Sequence, residues 1–327
     1  MKVLVTGATG FTGSALVRRL LDEGHQVVGL DTQKGLFFDE LTRRGAQITL
    51  GSVTDRATVE RLMKGVDVVH HVAAAFRQLD VGRDVYDDVN IDGTRIVADA
   101  AYRAGVRKLI YCSTCGVHGN VENPPATEDA PIAPADYYQR TKYEGERVIQ
   151  EYTARGLPTL ILRPAGIYGP GDPERFYMIF RRVARGWFPM FGDGKTLYHS
   201  VYIDNLVDAF MLAMESPRGD GRPYLIADEK HCTIEELVRL VADAMGVQVR
   251  FRHFPLMPLL VAGHVVEKAC RPFGIAPPIF PRRVDWYRQD RAFDITRART
   301  ELGYEPKVPL PVGLRRAAEW YRANGML

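Results

Sequence analysis

The sequence predicts a doubly wound α/β fold, a parallel sheet with helices on both faces, joined to a smaller interleaved C-terminal lobe. In the first half, short β-branched apolar runs alternate with longer amphipathic ones, which is the rhythm of βαβ units. The runs KVLV, VDVVH and KLIYC are close to continuously hydrophobic, as strands buried on both faces must be. After Pro164 the rhythm breaks, and glycine and proline become frequent in GPGDPE, GWFPMFGDG and ESPRGDGRP, the punctuation of a loop-rich lobe.

Taken in order, strands are expected at residues 2–5, 26–30, 47–50, 67–72, 108–112 and 159–162, with helices at 13–23, 57–64, 86–104 and 136–154 between them. The segment from Tyr198 to Met214 returns to a strand-then-helix pattern. The boundary is therefore expected to be interleaved: residues 1–166 form the sheet domain, 198–217 rejoin it, and the rest of 167–327 builds the lobe, including most of 218–327.

The 43 basic and 40 acidic residues leave a formal charge of only +3, so no charged arm for nucleic acid is expected and small molecules are the expected partners. Four cysteines, Cys112, Cys115, Cys232 and Cys270, follow no secreted framework, and the start MKVLVTG carries no basic lead into an apolar signal region. A reduced cytoplasmic protein is expected. No apolar run approaches the ~20 residues that span a bilayer; the nearest, FPLMPLLVAGHVV, is interrupted by Pro258 and His264.

The sharpest local signal is VLVTGATGFTG, which places Gly7, Gly10 and Gly13 directly after the first strand as a helix opens. Such glycines allow a tight turn, close approach of a pyrophosphate and close helix-to-strand packing, and free amides at the helix start hold the anion. Asp31 ends the next strand, where a carboxylate accepts from a ribose 2′-hydroxyl and repels a 2′-phosphate. A Rossmann-type domain binding NAD follows, with Lys34 nearby keeping NADP open.

Nicotinamide chemistry moves a hydride, so the substrate oxygen must exchange a proton with a side chain. Of the 15 tyrosines, Tyr138 alone has a lysine four residues later, Lys142, and in a helix the two share a face. An ammonium there lowers a phenol pKa that is otherwise ~10. Its neighbour Tyr137 faces Thr141 instead. Ser113 and Thr114 follow the strand IYC at its C-terminal end, where open α/β sheets place ligands. Asn90 lies inside the long helical pattern before that strand, where it is expected to bend the helix and hold a water near Lys142.

With these residues in place, the chain resembles the extended short-chain dehydrogenases/reductases, a group of NAD-dependent sugar epimerases, dehydratases and 3β-hydroxysteroid dehydrogenase-like enzymes. The resemblance covers essentially the whole chain and rests on TGATGFTG, HHVAAA, NIDGT, STCGVHG, Tyr138 with Lys142, RPAGIYGPGD, HSVYIDNLVDA and LGYEP. It implies Tyr138 as general acid/base, Lys142 on the nicotinamide ribose, Thr114 on the substrate oxygen with Ser113 beside it, and Asn90 completing the set. It also implies a cofactor set of Gly7, Gly10, Phe11, Thr12, Gly13, Asp31, Ser52, Val53, Val72, Ala73, Ala74, Tyr138, Lys142, Pro164 and Ile167. Ser52 departs from the pattern, since many members carry an acid there. A homodimer through the helices at 86–104 and 136–154 is implied by the resemblance alone.

Three reactions of that group are separable. Dehydratases resemble one another in an Asp-Glu pair after the active-site threonine, and here Cys115 and Gly116 stand there. Nucleotide-sugar epimerases usually carry an arginine shortly after the GDG turn to fork a diphosphate; here Tyr198 stands there, with Arg182, Arg185, Arg282 or Arg283 as substitutes. The apolar stretch 254–266 and the following PFGIAPPIFP suit a lid over a lipophilic substrate or a membrane-resting face, and equally an ordinary lobe core. The expectation is an oxidoreductase interconverting an apolar secondary alcohol and ketone, then a nucleotide-sugar 4-epimerase, then a binding-only dinucleotide sensor. Cys115, His118, Tyr168 and Tyr198 are candidate substrate contacts, and His199 a further crevice candidate. Cys112 and Cys115 are read as packing residues, His70 and His71 as lining the cofactor edge, and no metal site is expected.

Overall fold

The computed structural model describes residues 1–76, 82–173, 175–270 and 284–327. The first half runs β1 (Lys2–Thr6), α1 (Phe11–Asp22), β2 (Gln26–Asp31), α2 (Phe38–Arg43), β3 (Gln47–Leu50), α3 (Arg56–Leu62), β4 (Val68–His71), α4 (Arg83–Asp87), α5 (Gly93–Ala104), β5 (Lys108–Cys112), α6 (Tyr137–Ala154) and β6 (Thr159–Pro164). Then come β7 (Gly166–Tyr168), α7 (Arg175–Val183), β8 (Trp187–Phe191), β9 (Leu197–Tyr198), β10 (Ser200–Tyr202), α8 (Ile203–Glu215) and β11 (Asp220–Ile226). The chain ends with β12 (Cys232–Thr233), α9 (Ile234–Met245), β13 (Arg250–Phe254), α10 (Leu256–Cys270), α11 (Thr296–Leu302) and α12 (Leu310–Ala323).

Seven strands pair in the order β11-β6-β5-β4-β1-β2-β3, each neighbouring pair parallel. Side chains alternate between faces along a strand, so Leu109 and Tyr111 enter one core with α3, α5 and α6, while Ile110 and Cys112 enter the other with α1 and α8. Both faces are dry, which is why these strands read as unbroken apolar runs. A third cluster, from Phe176, Phe180, Leu237, Val241, Leu314 and Tyr321, joins α7, α9 and α12 into the lobe.

The ends of the elements follow their local chemistry. Asp136 accepts from the amide of Gln139 at 2.8 Å and starts α6. Gly105 adopts φ 65° after α5, a left-handed stop that side chains other than glycine's resist.

Three expectations change. The predicted helix 86–104 is α4 and α5 joined by a π-helical turn, Asp88–Asp92, a widening that carries Asn90 inward. Residues 220–226, expected in the lobe, form β11 and add the edge strand beside β6. Pro258 does not end its apolar run, because it falls in the first turn of α10, where a missing amide hydrogen costs nothing. Arg282, Arg283 and the stretch 272–281 lie outside the described residues.

Candidate active site

Parallel strands deliver their C-terminal ends to one edge, and there the β1–α1, β4–α4, β5–α6 and β6–β7 connections meet the lobe around a crevice of about 650 Å³. At its first end stands the glycine turn. Gly7 has φ +70°, and a Cβ there would meet the Ala73 amide nitrogen at 2.9 Å; a Cβ on Gly13 would lie 1.8 Å from the Gly7 carbonyl oxygen. Alanine cannot enter either place without moving backbone. Gly10 precedes α1 with no side-chain cap, and the first turn holds no acid, so the opening amides remain for an anion.

Asp31 is held at the crevice wall by the amides of Thr9 at 2.9 Å and Thr32 at 2.7 Å. Lys34 turns away, its ammonium 5.0 Å from the centre of the Phe38 ring. Phe11, Thr12, Ser52, Val53, Val72, Ala73, Ala74, Pro164 and Ile167 all line the same crevice. Ser52 accepts from the amide of Thr54 at 3.1 Å, a local turn in place of an acid.

At the centre, Tyr138, Lys142 and Thr114 line one wall. Lys142 is 1% exposed, its Nζ has no hydrogen-bond partner among the described residues and lies 4.1 Å from the centre of the Tyr111 ring. Burial depresses its ammonium to about 8, against an upward pull from Cys112 and then Glu146. Tyr138 sets its ring against Phe76, centroids 4.8 Å apart. Tyr137 instead donates to Asp87 at 2.6 Å, bracing α6 on α4. Thr114 accepts from the amide of Gly116 at 3.1 Å, which leaves its proton for a ligand. Ser113 is 3% exposed and gives its hydroxyl to Glu146.

Glu146 also binds Arg163 through Nε at 2.9 Å and Nη2 at 2.6 Å. This buried fork ties α6 to β6 one turn beyond Lys142.

Asn90 is 1% exposed but does not line the crevice. Its Oδ1 accepts from the Ala75 amide at 2.8 Å, and its Nδ2 donates to the Ala75 carbonyl at 3.2 Å and to Thr141 at 2.9 Å. Every polar atom of its side chain is thereby bonded within the protein.

Several expected contacts lie elsewhere. His118 is buried between the Pro131 carbonyl, 3.2 Å away, and Arg163, 3.1 Å away, behind the β5 end rather than in the crevice. Tyr168 stacks on Phe176 at 4.6 Å within the lobe core, because period-two alternation along β7 turns Ile167 to the crevice and Tyr168 away. His70 and His71 do not form the cofactor edge: both are 0% exposed, and burial depresses each ring to about 3. His71 bridges Thr6 and Thr94 at 2.7 and 3.0 Å, and Thr94 donates to the Asn90 carbonyl at 2.7 Å. Cys112 and Cys115 both line the crevice; burial pushes the Cys112 thiol up to about 11, so it stays protonated.

The far end of the crevice belongs to the lobe. Tyr198 lines it as expected, its hydroxyl 1.9 Å from where a Gly166 Cβ would be. His199 accepts from the Phe293 amide at 3.2 Å, so its Nε2 proton goes to the Asp228 carbonyl at 2.9 Å, and burial holds the ring at about 4. Among the lining residues that escaped the sequence reading are Phe76, Val85, Val89, Trp286 and Arg291. The Trp286 Nε1 is buried without a partner among the described residues. Arg291 is bridged to Tyr198, its amide donating to the Leu197 carbonyl at 2.9 Å. Nothing local marks Trp286 or Arg291, since the run that carries them meets β9 only in three dimensions.

The cradle fits a dinucleotide: glycines where a Cβ would collide, uncapped amides, a ribose-type carboxylate and a buried ammonium without a partner. Comparison with known proteins agrees. The family model described as NAD dependent epimerase/dehydratase matches residues 3–227. A 3β-hydroxysteroid-dehydrogenase/decarboxylase isoform 2 of Arabidopsis thaliana is 31% identical over 97% of this chain, which spans 61% of that protein's length. UDP-glucose 4-epimerase of Mycolicibacterium smegmatis is 32% identical over 98% of this chain and 99% of its own. The UDP-glucose 4-epimerase of Thermotoga maritima superposes with a TM-score of 0.82 at 28% identity over 99% of both chains. DesIV, a dTDP-glucose 4,6-dehydratase of Streptomyces venezuelae solved with NAD and TYD bound, gives 0.80 at 26% identity over 99% of this chain and 98% of its own. With the crevice and the family match in agreement, the chain belongs to the NAD-dependent epimerase/dehydratase family of extended short-chain dehydrogenases/reductases, with NAD as its cofactor.

Proposed function

We propose that the protein interconverts a secondary alcohol and a ketone on an apolar substrate. The observation that carries this reading is the apolar part of the crevice lining, which includes Phe76, Val85, Val89, Cys115, Ile167, Tyr198 and Trp286. Such a lining holds a ring-bearing lipophilic alcohol chiefly by burial. NAD, when bound, supplies a two-electron hydride acceptor or donor. In oxidation the Tyr138 phenolate takes the hydroxyl proton while Thr114 donates to the same oxygen; in reduction Tyr138 returns the proton. Lys142, one helical turn on, holds the phenolate form by its charge and donates to the nicotinamide ribose. Asn90 touches no reacting atom in this reading; it holds Ala75 and Thr141 so that the wall carrying Tyr138 keeps its place.

A second reading, nucleotide-sugar 4-epimerase, is favoured by Arg291, whose place beside Tyr198 suits a substrate diphosphate. A binding-only sensor is disfavoured, because it has no use for Tyr138, Lys142 and Thr114 on one wall. The test is a turnover screen. Apolar secondary alcohols such as hydroxysteroids are expected to change nicotinamide absorbance with NAD, whereas interconversion of UDP-glucose and UDP-galactose without net change in NAD would overturn the reading.

A further inference from the structure

One face of the lobe is both cationic and apolar, and among the described residues nothing covers it. Strands β8 and β13 pair in parallel, Trp187 against Arg250 through Phe191 against Phe254. The elements α7, β8, β13 and α10 carry five arginines and Lys268 against one acid, Glu267, in a chain whose charges otherwise nearly balance. Arg250 and Arg252 are exposed. The guanidinium groups of Arg182 and Arg252 lie 5.0 and 5.2 Å from the centre of the Trp187 ring, so one indole keeps two cations at the surface.

Beyond Phe254, 42% exposed, α10 shows Met257, Val261 and Val265 at 68%, 60% and 60%. Residues four apart share a helix face, so the three form one apolar line in water. Among the described side chains of α10 only Gly263 is buried. The helix has 15 residues, short of a span, and among the described residues no helix is long and apolar enough to cross a membrane.

We infer that this face docks the protein on a bilayer bearing anionic headgroups, with the α10 line at the acyl boundary and the arginines on the phosphates. A second copy of the chain is the poorer occupant, since a two-fold contact would set arginine against arginine. The face is also continuous with the crevice. Phe254 touches Phe191, Phe191 touches Tyr287 and Tyr287 touches the crevice-lining Trp286, with centroids 5.5, 5.3 and 4.9 Å apart. A lipophilic substrate would thus enter from the bilayer along aromatic rings, but the docking itself does not depend on what the crevice turns over.

The full chain is to be sedimented with phosphatidylcholine vesicles with and without phosphatidylserine. Binding is expected on the anionic vesicles, weaker by about tenfold or more on neutral ones and falling as salt rises. A Met257→Glu/Val261→Glu protein is expected to stay in the supernatant while keeping its helical circular dichroism and its NAD affinity. An Arg250→Glu/Arg252→Glu protein is expected to lose the preference for phosphatidylserine. The inference is overturned if the parent chain does not sediment at low salt or if the glutamate variants sediment unchanged. It is equally overturned if light scattering shows a dimer that Met257→Glu/Val261→Glu dissolves. None of these readouts involves turnover, so they leave the substrate reading standing or falling by itself.

Discussion

The Nδ2 of Asn90 donates to the Thr141 hydroxyl at 2.9 Å, joining the π-helical turn to the helix that carries Tyr138 and Lys142. Because the same amide clasps both backbone atoms of Ala75, three segments of the crevice wall are held by one side chain.

Replacing Asn90 by alanine strands the Ala75 amide and carbonyl in a dry site. The expected cost is about 2–4 kcal/mol of unfolding free energy, since buried polar groups without partners are penalised by ~1–3 kcal/mol each. Urea unfolding measures it, and turnover is expected to fall in parallel. A variant as stable as the parent would show that Asn90 is not the clamp described.

Tyr138→Phe removes one oxygen and no ring surface. NAD affinity by calorimetry and the melting temperature are expected to hold, while turnover falls by ~10²–10⁴-fold, the usual weight of a general acid/base. Undiminished turnover would end the role proposed for the phenol.

Burial depresses the Lys142 ammonium to about 8 in the folded chain, whereas in the unfolded chain it titrates near ~10.4. Between those values the unfolded chain binds more protons, so stability rises with pH there and the penalty is full below about 8. Lys142→Met is therefore expected to stabilise the cofactor-free protein at pH 7 by a few kcal/mol at most, given ~1.4 kcal/mol per pKa unit. The advantage should shrink as pH approaches 10. Denaturant curves at pH 7 and 9.5 report it, and a gain that does not shrink would contradict the burial account.

Gly166→Ala puts a methyl where the Tyr198 hydroxyl now lies, 1.9 Å from the added carbon. Tyr198 must swing, so KM for the substrate is expected to change several-fold with little change in NAD affinity. Equal KM values would remove Tyr198 from the substrate end.

How much of this was legible beforehand varies along the crevice. The glycine turn, Asp31 and the Tyr138 to Lys142 spacing were all readable, and each lies within one strand-turn-helix unit or one helical turn. Burial of β4 and β5 on both faces was readable too from their unbroken apolar runs, though it did not reveal that His70 and His71 both lie inside the sheet layers. Asn90 was visible as an odd helical residue, yet its partners Ala75 and Thr141 are 15 and 51 positions away. His118 looked like a crevice residue until Arg163 and Pro131 enclosed it.

The cofactor end of this protein was written into the sequence, because hydrogen bonds within a few residues and the alternation of faces are properties of short segments. How the far end of the crevice is assembled was decided by tertiary structure, although Tyr198 was already visible in the sequence. Tyr198 and Arg291 meet only when residues far apart in the chain bridge across the lobe, and Trp286 joins the wall through rings at Tyr198 and Tyr287. No local periodicity encodes such contacts, since they form only when separate packed layers close around one crevice.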